Sequence, residues 1–313
     1  MELSIVIPVF NEEGNIKSLY EELTNVISIY KQCEVIFVDD GSTDNSFKFL
    51  KEIQESDPRV KLIKFRRNFG QTAALAAGFK YAEGDAIVTM DADRQNDPAD
   101  ISKLLTKLQE GYDLVNGWRY DRKDKFLSRR LPSQIANSLI SWTTDVKLHD
   151  YGCTLKAIKK DIAKGITLYG ELHRFIPAVA SWMGVDIAEV KVNHRPRTSG
   201  VSKYGISRTL RVLLDLITVK FLLSYSGRPI HFFGFPGLIA GSIGFFLASY
   251  MTIERLFFDV PLGNRPLLLF AVLLIIIGLQ FIVFGLLGEL QTRTYFESQN
   301  KPIFVIKETH GYS

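Results

Sequence analysis

Short apolar runs alternate with longer amphipathic stretches over the amino-terminal two-thirds of the chain. The apolar runs have the length and composition of buried strands, and they cover residues 3–7, 34–38, 60–65, 86–90 and 113–116. The stretches between them have helical length and periodicity, and they cover residues 13–30, 45–55, 71–82 and 99–110. This alternation predicts an α/β fold with a mostly parallel sheet and helices on both of its faces.

The last third of the chain differs because it contains two long runs without a charged side chain. Residues 229–253 include no Asp, Glu, Lys or Arg over 25 positions, and residues 266–288 include none over 23. Each run exceeds the roughly 20 apolar residues that span a bilayer as a helix. We expect two transmembrane helices joined by residues 254–265, so that both ends of this hairpin lie on one side of the membrane.

The distribution of charge indicates which side that is. The formal net charge is only +4, but residues 191–228 carry eight Lys or Arg and a single acid, Asp215. The positive-inside rule places this segment in the cytoplasm. No secretory signal is visible at the amino terminus, and the two cysteines, Cys33 and Cys153, fit a reducing compartment. We therefore expect a multi-pass plasma-membrane protein with both termini cytoplasmic, and no nucleic-acid partner.

Polar residues follow the predicted strands, where ligands bind in sheets of this kind. After the fourth strand, Asp91, Asp93 and Gln95 would face the same way if the chain stayed extended. Two carboxylates and an amide oxygen suit Mg²⁺ or Mn²⁺, with a diphosphate completing the coordination. The alternative is a solvated turn in which Asp97 caps a helix that starts at Pro98.

Three further polar motifs follow the first three strands, at residues 8–13, 39–44 and 66–71. Asp39 lies at the tip of the second, where its carboxylate can accept a hydrogen bond from a base imide or a ribose hydroxyl. The alternative for this motif is a helix cap with acidic residues that complement the dipole. Residues 66–71 follow the third strand and contain two arginines, which favour phosphate. The alternative for this stretch, which its own sequence favours, is ordinary surface charge with Gly70 in a turn. A Gly-x-Gly-x-x-Gly loop is absent after the first strand, which disfavours a dinucleotide-binding enzyme.

Four motifs follow one another along the chain, namely Pro8-x-x-Asn11-Glu12, Val38-Asp-Asp-Gly-Ser-Thr-Asp44, Arg67-Asn-x-Gly70 and Asp91-Ala-Asp-x-Gln95. Their order resembles that of glycosyltransferase family 2, and the chain most resembles its polyprenyl-phosphate sugar transferases. The resemblance implies a GT-A type nucleotide-sugar-binding fold and inverting, metal-dependent transfer of a hexose to polyprenyl phosphate. Resemblance to bacterial members favours a UDP-sugar, with UDP-glucose as the expected donor. The Gln-x-x-Arg-Trp motif of the processive branch is absent, which disfavours a polysaccharide synthase.

The resemblance also implies roles for individual residues. Donor contacts are expected from Pro8, Glu12, Asp39, Asp40 and Asp91, and the metal ligands are expected to be Asp91, Asp93 and Gln95. The stretch from Arg197 to Lys203 is similar to the family's Arg-x-x-Gly-x-Ser-Lys signature, which predicts a loop over a bound phosphate or diphosphate. The same stretch also suits a basic linker attracted to anionic lipid.

On the acceptor side, Arg119 and Arg129 with Arg130 are candidates for phosphate contact. Asp150 is either an active-site carboxylate or a turn residue ahead of Gly152. The expected domains are a catalytic domain over 1–203, an amphipathic juxtamembrane segment over 204–228, the two helices over 229–290 and a cytoplasmic tail over 291–313 with a short β-hairpin. The glycines of the first span allow close helix contact within the hairpin or packing in a homo-oligomer.

Two other functions are compatible with this organisation. A diacylglycerol-type acceptor is an alcohol and would need Asp150 as a base. A catalytically idle membrane scaffold would need the hairpin, but it would not need Asp91, Asp93 and Gln95 together.

Overall fold

The protein is described here from a computed structural model that covers residues 2–120, 146–168, 172–196, 229–258, 261, 265–298 and 304–312. The chain divides into two compact units. The first is an α/β unit that contains the amino-terminal part of the chain together with the carboxyl-terminal tail, and the second contains the two long helices.

One mixed sheet of eight strands forms the described part of the α/β unit. The strands are β1 (Leu3–Val9), β2 (Cys33–Asp39), β3 (Val60–Phe65), β4 (Ala86–Thr89), β5 (Leu114–Arg119), β6 (Lys156–Lys159), β7 (Ile187–Val192) and β8 (Ile306–His310). The helices of this unit are α1 (Ile16–Ile27), α2 (Ser46–Ser56), α3 (Gln71–Tyr81), α4 (Ile101–Gln109), α5 (Lys160–Gly165) and α6 (Ile176–Ser181), with 3-10 turns at Pro98–Asp100 and Leu172–Phe175. The strand order is β7-β5-β6-β4-β1-β2-β3-β8.

The predicted mostly parallel sheet is confirmed. The pairs β4–β1, β1–β2, β2–β3 and β5–β7 are parallel, and β6 and β8 run antiparallel to their neighbours. Every residue of β2 is buried, as expected for a central strand covered on both faces. Helix α1 buries Ile16, Leu19, Leu23 and Ile27, whose spacing of three or four residues forms one apolar face.

The tail departs from the predicted hairpin over residues 294–306. Its first part continues the second long helix as far as Ser298, and the strand that follows, β8, pairs antiparallel with β3. A hairpin of two local strands is therefore not formed by the described residues of the tail. Strand β8 thereby covers the outer edge of β3.

The second unit consists of helices α7 (Pro229–Phe258) and α8 (Pro266–Ser298). Both extend past the predicted limits of 253 and 288, so the link between them is shorter than the predicted 254–265. The stretches Phe233–Phe258 and Pro266–Gly288 are long and apolar enough to cross a membrane. Most of their large apolar side chains are exposed, which a core helix of a soluble protein would not show.

Small residues bring α7 and α8 into close contact. A Cβ atom added at Gly278 would lie 2.6 Å from the Gly237 carbonyl oxygen and 2.6 Å from the Gly241 nitrogen. One added at Gly244 would lie 2.7 Å from the Ala271 carbonyl oxygen. Of the two uses predicted for these glycines, the structure shows the contact within the hairpin.

Candidate functional site

The loops after β1 and β2 form one hydrogen-bonded surface at the carboxyl edge of the sheet. The side chain of Asn11, whose φ is +55°, accepts from the Thr43 nitrogen at 2.8 Å, and the Asn11 nitrogen donates to Ser42 Oγ at 3.0 Å. The Glu12 nitrogen donates to Ser46 Oγ at 2.9 Å. Pro8 lies half-buried beneath this surface, where it pairs in register with Val38. Hydrogen bonds between backbone and side chains therefore hold these two loops together.

Asp39 is buried at the end of β2, and only one of its two carboxylate oxygens has a hydrogen-bond partner among the described residues. Its Oδ1 accepts from the Ser42 nitrogen at 3.3 Å, whereas Oδ2 is buried and has no hydrogen-bond partner among the described residues. Burial raises the pKa of this carboxyl group. A buried carboxylate oxygen without a donor is costly unless a ligand supplies one. This arrangement fits the donor contact predicted for Asp39.

Asp40 has a different role, because both of its oxygens are already engaged. They accept from the backbone nitrogens of Phe69 at 2.6 Å and Gly70 at 2.9 Å. Burial raises the pKa of Asp40, and these two hydrogen bonds oppose that effect. Asp40 therefore fixes residues 66–70, called the donor loop below. The neighbouring Gly41 has φ +72°, and an added Cβ there would lie 2.5 Å from the Arg67 carbonyl carbon. Only glycine permits this backbone contact.

Asp91 and Asp93 lie together after β4. Asp91 accepts from Gln71 Nε2 at 2.7 Å and from Thr154 Oγ1 at 2.8 Å. Burial and then the nearby Asp93 charge raise the pKa of Asp91 to about 6. The charge of Asp93 therefore disfavours the ionised form of Asp91, and a bound cation would favour it.

The extended geometry assumed for residues 91–95 does not persist. Strand β4 ends at Thr89, and Arg94 has a left-handed backbone with φ +62°. The Gln95 side chain is consequently turned to the segment after β7, where Nε2 donates to the Arg195 carbonyl oxygen at 3.5 Å. The backbone carbonyl oxygen of Gln95 accepts from the Arg195 nitrogen at 2.9 Å. Asp97 caps the following 3-10 turn through the Ala99 nitrogen, as the alternative interpretation predicted. A turn, rather than strand alternation, brings Asp91 and Asp93 together.

A second group of candidate site residues comes from the end of β5, the turn that carries Asp150 and the middle of β7. Arg119 Nε donates to Asp150 Oδ2 at 2.6 Å, and Arg119 Nη2 donates to Asp150 Oδ1 at 2.9 Å. Burial alone would lower the pKa of Arg119, but the ion pair with Asp150 outweighs this effect and raises it. The turn that carries Asp150 is held by Glu189 of β7, which accepts from the backbone nitrogens of His149 and Asp150. His149 also stacks on Trp118, with ring centroids 4.1 Å apart.

Sequence reasoning missed three residues of this region. Glu189 was hidden among alternating charges on a strand that the patterns did not predict. Lys156 is fully buried in β6, where Nζ donates to the Cys153 and Tyr151 carbonyl oxygens and burial lowers its pKa. His173 is buried in a 3-10 turn, where Nδ1 lies 2.7 Å from Thr72 Oγ1 at the start of α3. No local motif signals these positions: Glu189 and His173 acquire their partners from distant segments, and Lys156 bonds the backbone of a nearby turn whose shape has no periodic signal.

Several predicted site residues lie outside the described part of the chain, namely Arg129, Arg130, Arg197 and Lys203. The whole amphipathic segment 204–228 also lies outside it. Glu12 is described and half-buried, and its carboxylate accepts from Asn15 Nδ2 at 2.6 Å.

Comparison with known proteins decides the family. The model of glycosyl transferase family 2 matches residues 4–167. Dodecaprenyl-phosphate galacturonate synthase of Rhizobium johnstonii is 42% identical over 313 residues, which cover 98% of this chain and 93% of that protein. The chain belongs to glycosyltransferase family 2. Undecaprenyl-phosphate 4-deoxy-4-formamido-L-arabinose transferase of Shewanella sediminis is a second relative of this glycosyltransferase, 36% identical over 98% of the chain and 92% of the relative.

Solved structures support the GT-A type fold. Glucosyl-3-phosphoglycerate synthase from Mycobacterium tuberculosis, in complex with Mn²⁺ and UDP-glucose, aligns with a TM-score of 0.56 at 16% identity. The alignment covers 71% of the glycosyltransferase described here and 78% of that chain. At this identity the similarity concerns the fold alone.

The oxygen ligands that this site offers fit a hard divalent cation. Asp91 and Asp93 supply carboxylate oxygens, the ligand type that Mg²⁺ and Mn²⁺ prefer. Among the described residues, no three His, Cys, Asp or Glu side chains are grouped to hold a metal ion. Two carboxylates would leave coordination positions open, and the oxygens of a diphosphate would suit them.

Proposed function

We propose that this glycosyltransferase transfers a sugar from a nucleotide diphosphate to polyprenyl phosphate at the cytoplasmic face of the plasma membrane. The observation that carries the proposal is similarity over 98% of the chain, including both long apolar helices, to proteins named for sugar transfer to dodecaprenyl or undecaprenyl phosphate. A soluble site for the donor and a hairpin in the bilayer suit an acceptor with a lipid tail and a charged head.

On the donor side, Asp39 Oδ2 accepts a hydrogen bond from the base or the ribose, while Asp40 keeps the donor loop in place. Asp91 and Asp93 would hold Mg²⁺ or Mn²⁺. Such an ion, when bound, stabilises the charge of the departing diphosphate. Gln71 and Thr154 orient Asp91 through the hydrogen bonds already present. Gln95 supports this turn through Arg195, so we place it beside the metal site rather than among the required ligands.

On the acceptor side, the guanidinium of Arg119 faces the phosphate. Its Nε and Nη2 atoms are held by Asp150, which fixes the plane of the group and leaves Nη1 for the acceptor. A phosphate monoester has a second pKa of about 6, so it is largely ionised at pH 7 and needs no strong base. In-line attack of a phosphate oxygen on the anomeric carbon inverts that centre and releases the nucleoside diphosphate.

The geometry disfavours the diacylglycerol-type alternative. That acceptor requires a base, and Asp150 is committed through both oxygens to Arg119. Among the described residues, Asp39 Oδ2 has no hydrogen-bond partner, and the Asp91 and Asp93 carboxylates lie near each other. Both features favour an active site over an idle scaffold.

The donor sugar is the finer part of the proposal. The sequence predicted UDP-glucose, whereas the relatives are named for galacturonate and for 4-deoxy-4-formamido-L-arabinose. We infer a UDP-linked donor and place galacturonate first, because the galacturonate synthase shares 42% identity with this chain.

The test uses membranes that contain the full-length protein, labelled UDP and GDP sugars including these three, and two acceptors, polyprenyl phosphate and diacylglycerol. We expect one UDP-sugar to be transferred to polyprenyl phosphate only. Transfer to diacylglycerol alone would replace the proposed acceptor, and transfer from a GDP-sugar alone would replace the proposed donor class.

A further inference from the structure

The carboxyl-terminal tail packs directly behind the donor loop. Strand β8 pairs with β3, and the Arg66 nitrogen donates to the Val305 carbonyl oxygen at 3.1 Å. Phe304 is buried, with 6% of its surface exposed, although it lies next to half-exposed Val305. The backbone of the first residue of the donor loop is therefore paired with a residue that follows the second long helix in the sequence.

Three aromatic rings continue this contact into the loop. The Phe304 ring stacks on Phe65, with centroids 5.2 Å apart and planes 12° apart. Phe65 in turn meets the edge of Phe69, with centroids 5.7 Å apart and planes 88° apart. The Arg67 guanidinium lies over the other end of this row, 4.3 Å from the Phe69 ring centroid. Stacked and edge-to-face rings are favourable and geometrically specific contacts.

The donor loop joins both halves of the nucleotide-diphosphate site. On one side, the Phe69 and Gly70 nitrogens bind Asp40, the neighbour of Asp39. On the other side, the loop leads into α3, whose first residue, Gln71, donates to Asp91. A displacement of Phe69 would therefore alter the base end and the diphosphate end of the site together.

We propose that Phe304 is a positioning residue for the nucleotide-sugar donor, so that the segment after the membrane helices completes the donor site. The inference rests on the proposed function and extends it to the tail. Phe304 does not touch the donor. It acts by fixing Phe65 and Phe69, and through them the backbone of the donor loop.

The test compares Phe304→Ala, Phe304→Leu and Phe304→Tyr in the purified full-length protein, with Val305→Ala as the matched control on an exposed neighbour. Binding of UDP in the presence of Mn²⁺ is titrated directly, and donor and acceptor KM are measured separately. Loss of the stacked ring is expected to raise the Kd for UDP and the donor KM by about fivefold to tenfold. The acceptor KM should stay within about twofold, because the acceptor groups at Arg119 are supported from β7.

Phe304→Tyr keeps the aromatic ring, so this variant should bind UDP like the wild type. Phe304→Leu keeps most of the apolar volume but loses the ring, so this variant should stay folded and bind UDP more weakly. Thermal unfolding of each variant shows that the folded protein is being compared. If Phe304→Leu is folded and its Kd for UDP is unchanged, the inference is refuted while the proposed function stands. If the wild type binds neither UDP nor GDP, the donor site itself is refuted, and the inference with it.

Discussion

Both carboxylate oxygens of Asp150 accept hydrogen bonds from Arg119, and this pairing determines what each side chain contributes. A carboxylate held in this way orients a cation more readily than it removes a proton, since a general base must release its partner first. The backbone of the same turn is held by Glu189, so Arg119 is positioned through two successive contacts, Glu189 with the Asp150 nitrogen and Asp150 with the guanidinium. The pair therefore fits an anionic acceptor.

We predict that Asp150→Asn raises the acceptor KM and leaves kcat within about tenfold, rather than causing the roughly 10²–10⁴-fold loss of a missing general base. Removing one partner of a buried ion pair also destabilises the fold by about 3–5 kcal/mol, so the assay is run well below the unfolding temperature. Steady-state kinetics with His149→Ala as the neighbouring control measures the effect. A loss of kcat above about 10²-fold with unchanged acceptor KM would contradict the assignment.

Asp57 makes a stability contribution that depends on pH. Arg59 donates to it through Nε and Nη2, and Tyr20 donates its hydroxyl at 2.7 Å. These bonds, with that of Arg59 largest, lower the pKa of Asp57 from 3.8 to about 2. Because the folded pKa is depressed, the stabilisation is present above about pH 4 and is lost as the pH falls towards 2.

We therefore expect Asp57→Asn to cost about 2 kcal/mol at pH 7 and progressively less below pH 4. Thermal unfolding of the purified protein at pH 7, 4 and 3 checks this, with the exposed Asp161→Asn as control. A difference between wild type and Asp57→Asn that stays constant over this pH range would show that the contribution is not electrostatic.

At the scale of the elements, the apolar runs predicted five strands of the α/β unit to within three residues at either end. They succeeded because β1 to β5 are buried and mostly parallel, which gives them continuous apolar sequences. Strand β6 was not predicted because its four residues begin and end with lysine. Strand β8 was not predicted as part of this sheet, because its partner, β3, is more than 240 positions away in the sequence.

The residues of the candidate site also divide into those with a local signal in the sequence and those without one. Asp39, Asp91 and Asp93 were predicted from their positions at strand ends, since strand position is a local property. Gln95 was predicted as a metal ligand from alternation, which the left-handed Arg94 interrupts. The roles of Asp40 and Glu189 depend on backbone nitrogens supplied by other segments, and such partners leave no periodic signal in the sequence.

The glycine contact between α7 and α8 gives a prediction at this scale. Gly278→Leu would place a side chain against the backbone at Gly237 and Gly241, so we expect the spans to separate with a loss of about 1–3 kcal/mol. Thermal unfolding in detergent measures the loss. Leu279→Ala, at a position that is 63% exposed, is the matched control. Equal unfolding temperatures for wild type and Gly278→Leu would show that the close helix contact is not formed.

For the whole molecule, we predict the orientation in the membrane. The α/β unit and the tail are expected in the cytoplasm, with the short link between α7 and α8 on the opposite side. The native cysteines are both buried, so single engineered cysteines report on their surroundings. In intact cells, a membrane-impermeant maleimide should label Pro261→Cys, whereas Lys48→Cys and Lys307→Cys should react only after lysis. Labelling of Lys48→Cys in intact cells would contradict this orientation.

The central claim is that the acceptor's phosphate, already ionised, attacks a donor held at Asp91 and Asp93. The most direct measurement compares two lipids that differ only in that group, polyprenyl phosphate and polyprenol, with the purified protein, its UDP-sugar and Mg²⁺ or Mn²⁺. We predict transfer to polyprenyl phosphate with inversion at the anomeric carbon, no transfer to polyprenol, and loss of transfer in Asp91→Asn and Asp93→Asn. Equal transfer to polyprenol, or full activity in both aspartate variants, would contradict the account.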